Sequence, residues 1–180
     1  MNDANIRPCV PSDLPSLKAV IDATELFHSD ALDDMVSFGT PPDPGNDPRE
    51  FWLVHDDGDG IAAVAYSAPE RMTTGTWNAL LLAVHPDRQG QAIGTALMSH
   101  VEALLAARGE RVLLVETSGA ADFERTRGFY TRIGYEREAL IREYYDVGDD
   151  KVVFRKVLQE PVRLASRRGE PDPRTRRDRA

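Results

Sequence analysis

Residues 82–97 run Leu-Ala-Val-His-Pro-Asp-Arg-Gln-Gly-Gln-Ala-Ile-Gly-Thr-Ala-Leu. An apolar, strand-like run enters a turn of small residues, and an amphipathic helix follows. Such a turn aims several backbone N–H groups at one point, beside the partial positive charge of a helix N-terminus, and that combination holds a phosphate or a pyrophosphate. Gly90, Ala92 and Gly94 let a bulky anion approach the backbone. Arg88 adds a charge-assisted hydrogen bond and Thr95 a hydroxyl. Two nucleotide-binding alternatives fail on spacing. A P-loop ends in Gly-Lys-Ser/Thr, which is absent. A dinucleotide turn needs G-x-G-x-x-G early in a βαβ unit and an acid closing the next strand, whereas these glycines are spaced differently and lie mid-chain.

Other side chains with chemical potential are fewer. Cys9 is the single cysteine, which excludes an intrachain disulfide framework, and it lies far in sequence from the turn. The run Asp56-Asp57-Gly58-Asp59-Gly60 lacks EF-hand spacing and a closing Glu, so it is expected to be a turn and no metal is expected. Glu116 interrupts an apolar run, and acids are seldom buried without a reason. His85 precedes Pro86 and is expected in a loop.

The elements that must position these residues follow from periodicity. Short strands are expected at 6–8, 51–55 and 61–67, the last two joined as a hairpin through the Asp/Gly turn. Ser12-Asp13 offers an N-cap to a helix carrying Leu14, Leu17, Val20 and Ile21. Ser29-Asp30 is expected to cap a second short helix through Phe38, and the proline-rich segment 39–48 to be a loop. The run 77–84 is expected to be a central strand. Ile93, Ala96, Leu97, Val101, Leu104 and Leu105 form a helical stripe that Gly109 ends. A strand at 111–117, a helix at 123–133 closed by Gly134, and a final hairpin of 138–145 with 151–158 complete an α/β chain with a mixed sheet.

Bulk properties narrow the class. The 180 residues suit one domain, with 41% hydrophobic and 29% charged residues. No apolar run approaches the roughly 18–20 residues that span a bilayer, and no basic-then-apolar leader opens the chain, so the cytoplasm is the expected location. Residues 161–180 hold seven Arg against three acids, and the first 160 residues hold 15 basic and 27 acidic residues. The acidic body disfavours nucleic acid as main partner and suits a cationic acceptor. The Arg/Pro-rich tail is expected to be disordered, which gives a domain over 1–160 and a tail over 161–180. A homodimer stays open.

Gln89-x-x-Ala92-x-Gly94 resembles the Q/R-x-x-G-x-G/A acetyl-CoA turn of the GNAT superfamily of N-acetyltransferases, with Ala92 where that family usually has Gly. Phe129-Tyr130-Thr131-Arg132-Ile133-Gly134-Tyr135 resembles the family's second signature, F/L-Y-x-x-x-G-F/Y. The likeness extends over about 6–158. It implies the GNAT fold: a mixed, mostly antiparallel sheet of six or seven strands flanked by helices and splayed between the two central strands. It implies direct acetyl transfer from acetyl-CoA to an amine, without a covalent enzyme intermediate and without a metal. On this likeness Leu82, Ala83 and Val84 meet the pantetheine arm, with the amide of Ala83 or Val84 as oxyanion donor. Arg88, Gln89, Gly90, Gln91, Ala92, Ile93, Gly94 and Thr95 hold the pyrophosphate. The family places an Asn contact where this chain has Phe123; either Ser118 or Thr126 substitutes for it, or the contact is lost.

Two protons must move. An alkylammonium with a pKa of about 10.4 costs about 4.6 kcal/mol to deprotonate at pH 7, so a general base helps. The strand 76–84 carries no Asp, Glu or His. Glu116 on the facing strand is the first candidate, with Glu70 and His85 behind it. Tyr130 matches the family's general acid and lies about 1.5 pKa units above a thiol. The likeness places the acceptor between 27–38, the proline-rich loop and Tyr144-Tyr145, where Asp30, Asp33, Asp34, Glu143 and Asp146 either hold a cation or form a solvated face. A small-molecule primary amine is the expected acceptor, with a protein N-terminus or lysine as a variant. Two other readings stay open: a coenzyme-binding module without turnover, and a nucleic-acid accessory working through the Arg-rich tail.

Overall fold

Seven strands form one sheet in the computed structural model, which describes residues 5–36 and 50–159. In chain order the elements are β1 (Ile6–Pro8), α1 (Leu14–Thr24), α2 (Leu32–Met35), β2 (Phe51–Asp56), β3 (Ile61–Pro69), β4 (Thr76–Val84), α3 (Ile93–Ala107), β5 (Val112–Ser118), α4 (Glu124–Arg132), β6 (Glu136–Asp146) and β7 (Asp149–Val157). The order matches the sequence expectation, and most ends shift by one or two residues. Three details differ. Asp13 precedes α1, but its carboxylate does not cap that helix; it accepts from Val10 N–H at 2.8 Å and from Arg7. The second helix is a single α-turn after a 3₁₀ turn at Ser29–Ala31. A 3₁₀ turn at Ala121–Phe123 precedes α4, so α4 begins at Glu124. Phe38, the segment 39–48 and the tail 161–180 lie outside the described residues.

The spatial order is β1-β2-β3-β4-β5-β7-β6. Every neighbouring pair is antiparallel except β4 and β5. That parallel pairing runs only from Thr76↔Val112 to Ala79↔Val115. Beyond it, β4 continues along β3 as far as Val84, while β5 continues along β7 as far as Ser118. The sheet therefore opens into a wedge at its centre. The cause is local. Pairing jumps from Tyr66↔Leu81 to Ser67↔Ala79, which leaves Leu80 as an extra residue in β4. A bulge bends its strand and increases its twist, and this one carries the second half of β4 away from β5.

Helices cover both faces. On one, Ile93, Leu97, Met98, Val101 and Leu105 of α3 and Tyr130 of α4 pack on Trp77, Leu113, Val115 and Phe154. On the other, Leu17, Val20 and Ile21 of α1 pack with Leu32 on Trp52, Val54, Val64, Leu81 and Ala83. Period-2 alternation thus sends Leu81 and Ala83 to the α1 face and Leu82 and Val84 to the α3 face. Arg7 ties the sheet's first edge to α1: its Nη1 lies 2.7 Å from Asp13 Oδ2 and its Nη2 lies 2.8 Å from Asp56 Oδ2. The guanidinium holds both carboxyls below their ordinary range. No helix among the described residues is long and apolar enough to cross a membrane.

Candidate active site

A cavity of about 410 Å3 lies between the free half of β4, the turn before α3, and α4. The strand supplies it with unpaired backbone. His85 N–H donates to Ala62 O at 2.9 Å. Alternation along the antiparallel ladder then places hydrogen-bonded pairs at Val64/Ala83 and Tyr66/Leu81. Leu82 and Val84 therefore turn their N–H and C=O groups away from β3, towards the wedge. Gln89 Nε2 donating to Val84 O at 3.2 Å agrees with that direction. Ala83 behaves otherwise. Its backbone is tied to β3 and its methyl lies in the core under α1, which leaves the Val84 amide, and not that of Ala83, facing the wedge.

The turn shows how the sequence builds an anion cradle. Gly90 has φ +76° and Ala92 has φ +61°. Ala92 is the N-cap of α3 and offers no side-chain cap, so the first N–H groups of a 15-residue helix stay unclaimed by a capping side chain. A left-handed alanine costs about 1–2 kcal/mol relative to the right-handed region, so the departure from Gly at this position is conformational strain rather than crowding alone. A Cβ on Gly94 would sit 3.4 Å from Val84 Cγ2 and 3.5 Å from Phe129 Cζ, so hydrogen there keeps the passage between β4 and α4 open. Gln89, Gly90, Ala92, Ile93, Gly94 and Thr95 all line the cavity; Gln91 does not, and its Nε2 donates to Asp87 O at 3.3 Å. Arg88 lines the cavity too, but its guanidinium is paired with Asp57 of the β2–β3 turn.

The opposite wall is α4. Thr126 and Tyr130 line the cavity as expected positions, and Arg125, Phe129 and Arg132 join them. Sequence reasoning passed over these last three, although positions 125, 129 and 132 follow the i, i+4, i+7 rule once Tyr130 is set on the inner face. Tyr130 is 5% exposed and is boxed by the rings of Phe129 at 5.1 Å, Tyr135 at 5.7 Å and Phe154 at 5.8 Å. Its hydroxyl has no hydrogen-bond partner among the described residues, and burial pushes the phenol above its ordinary value of 10. Ser118 does not reach the cavity. Its Oγ donates to Asp149 Oδ1 at 2.5 Å and accepts from Ala120 N–H at 2.9 Å, so it fastens the end of β5. Phe123 is likewise absent from the cavity wall.

The sequence model of the acetyltransferase (GNAT) domain matches residues 47–137. This chain belongs to the GNAT acetyltransferase family. Mycothiol acetyltransferase of Beutenbergia cavernae is 37% identical over 102 residues, which cover 54% of this chain and 32% of that protein. The chain thus spans about a third of the length of that curated relative. Among solved structures, a protein described as a GNAT-family acetyltransferase from Desulfovibrio desulfuricans superposes with a TM-score of 0.75 at 28% identity, covering 86% of this chain and 98% of the other. The ribosomal-protein-S18-alanine N-acetyltransferase of Escherichia coli superposes at 0.70 with 19% identity, covering 88% and 96%; at that identity the likeness speaks for the fold alone.

In this GNAT-family chain Glu116 is the first residue after β5 parts from β4. Val115 and Leu113 face α3, so alternation turns Glu116 to the α1 face, across the sheet from the cavity. Its Oε2 accepts from Lys151 Nζ at 2.9 Å, and that ammonium lies 3.6 Å from the centroid of the Tyr144 ring. Glu70 Oε1 accepts from Asn78 Nδ2 at 2.9 Å. His85 Nδ1 accepts from Asp87 N–H at 3.3 Å in a surface turn. Of the acids near the expected acceptor side, Asp33 pairs with Lys18 at 2.8 Å and Asp146 accepts from Val147 N–H at 2.7 Å. Asp30 and Asp34 are exposed, as is Glu143, which takes φ +51° in β6. No group of three or more His, Cys, Asp or Glu side chains that could hold a metal ion occurs among the described residues.

Lys151 is 6% exposed, so its ionic partner matters to stability. Glu116→Gln is expected to lower the unfolding free energy by about 1–2 kcal/mol, less than for a sealed pair because the Glu116 side chain is 29% exposed. Adding Lys151→Met should recover most of that loss in urea titrations. An unchanged midpoint in the single variant would mean that the pair contributes nothing.

Proposed function

We propose that this protein is an N-acetyltransferase that moves an acetyl group directly from acetyl-CoA to the primary amine of a small molecule. One observation carries the reading: beyond Ala79 the wedge between β4 and β5 turns backbone of Leu82 and Val84 that pairs with no strand onto a cavity that continues along the turn before α3. The residues present suit that co-substrate. A diphosphate matches the uncapped N-terminus of α3 and the left-handed backbone at Gly90 and Ala92. An extended amide-bearing arm matches the free edge of β4, which can hydrogen-bond to it as a neighbouring strand would.

Acetyl-CoA supplies an activated acyl thioester. The protein's contribution is orientation and proton management. Tyr130 is the proton donor to the departing sulfur, since burial keeps its phenol protonated. Glu116 is the proton acceptor for the amine, held in place by Lys151 on the α1 face of the wedge. The Val84 amide faces the wedge and can stabilise charge on the carbonyl oxygen. A relative named mycothiol acetyltransferase supports a small-molecule acceptor, and the acidic body suits a cationic one.

The test is free-thiol release from acetyl-CoA with a panel of primary amines: polyamines, aminoglycosides, amino sugars and basic amino acids. Turnover is expected with at least one of them. Coenzyme binding with no thiol release across the panel would favour a coenzyme-binding module, and acetylation of peptide N-termini or lysines alone would overturn the small-molecule assignment.

A further inference from the structure

Coenzyme A carries three phosphate groups, and the turn before α3 accounts for two of them. The third, the 3′-phosphate of the adenosine, is a monoester dianion that needs cations of its own. Arg88, the basic side chain of the turn, is committed to Asp57. The opposite wall differs. Arg125 and Arg132 stand on the cavity face of α4, both exposed, and neither makes an ion pair or hydrogen bond among the described residues. Their spacing of seven residues puts them on one side of the helix with Phe129 between them. The Arg132 guanidinium lies back along α4, with Nη1 3.5 Å from where a Cβ of Gly128 would be.

Depth in the cavity decides which phosphate they meet. Tyr130 is buried and marks the inner end, where the thioester belongs under the reading above, while the two arginines mark the outer rim. The part of the ligand farthest from the sulfur is its phosphorylated adenosine. Two forked guanidinium groups match a phosphomonoester with parallel N–H···O bonds. We propose that Arg125 and Arg132 hold the 3′-phosphate of coenzyme A, so that this chain selects the 3′-phosphorylated coenzyme over dephospho-coenzyme A. This rests on the cavity being the coenzyme site.

Calorimetric titration of coenzyme A and dephospho-coenzyme A tests it without any acceptor. The wild-type chain is expected to bind coenzyme A at least about tenfold more tightly than its dephospho form. Arg125→Ala/Arg132→Ala should bind the two ligands alike, with the affinity for dephospho-coenzyme A kept. Both side chains are exposed, so thermal unfolding of the double variant should match the parent. Equal affinities in the wild type would overturn the proposal and leave the coenzyme site standing. So would a double variant that weakens both ligands equally, which would move the arginines to the diphosphate. Failure of the wild type to bind either ligand would instead bring down the coenzyme site itself, and this proposal with it.

Discussion

Tyr130→Phe should fold like the parent and lose at least about 100-fold in kcat, the range expected when a positioned general acid is removed. The two halves of that outcome have separate causes. The ring fills a box made by Phe129, Tyr135 and Phe154, and phenylalanine fills it as well. The hydroxyl has no protein partner among the described residues, so removing it leaves no orphaned group, and the thermal midpoint should hold or rise slightly. Coenzyme affinity should change little, because in the proposed function the turn and the edge of β4 supply it. A donor loses activity as pH climbs through its pKa. Burial puts the Tyr130 value above 10, so no alkaline fall from this group should appear below about pH 10. A Tyr130→Phe enzyme with wild-type kcat would remove Tyr130 from the proton-donor role.

Phe154→Ala should cost about 3–5 kcal/mol in unfolding free energy, as truncation of a sealed aromatic does. Phe154 is 2% exposed on β7, opposite Val115 of β5 and Arg137 of β6, with its ring 5.8 Å from that of Tyr130. The void would lie directly against the Tyr130 ring. Urea unfolding should show the loss as a lower midpoint at unchanged slope, and kcat of the folded fraction should fall because Tyr130 loses a wall. A cost below about 1 kcal/mol would mean that the surroundings collapse onto the gap. The Tyr130 box would then be softer than its packing suggests.

These residues also show what sequence can carry. The turn was legible because its requirement is local: small residues, a strand before, an apolar helical stripe after. The type of nearly every element was legible for the same reason. The bulge at Leu80 was not, since it exists only as a mismatch between β3 and β4, and the wedge followed from family resemblance instead. The engagement of Arg88 by Asp57 joins residues 31 positions apart in sequence, and a charge's nearest partner is a property of the fold. Ala83 and Ser118 sit at plausible positions for coenzyme contact, but strand parity decides the first and the fastening of β5 to β7 decides the second. Glu116 broke an apolar run for a reason the sequence half disclosed: its partner Lys151 lies on the strand that pairs with β5.

The position of β7 bears on how the protein is made. The last described strand to leave the ribosome inserts between β5 and β6 rather than adding at an edge. Until it emerges, β5 has one rim bare and β6 has nothing to pair with, so a stalled or clipped nascent chain would expose sticky main-chain groups beside the future cavity.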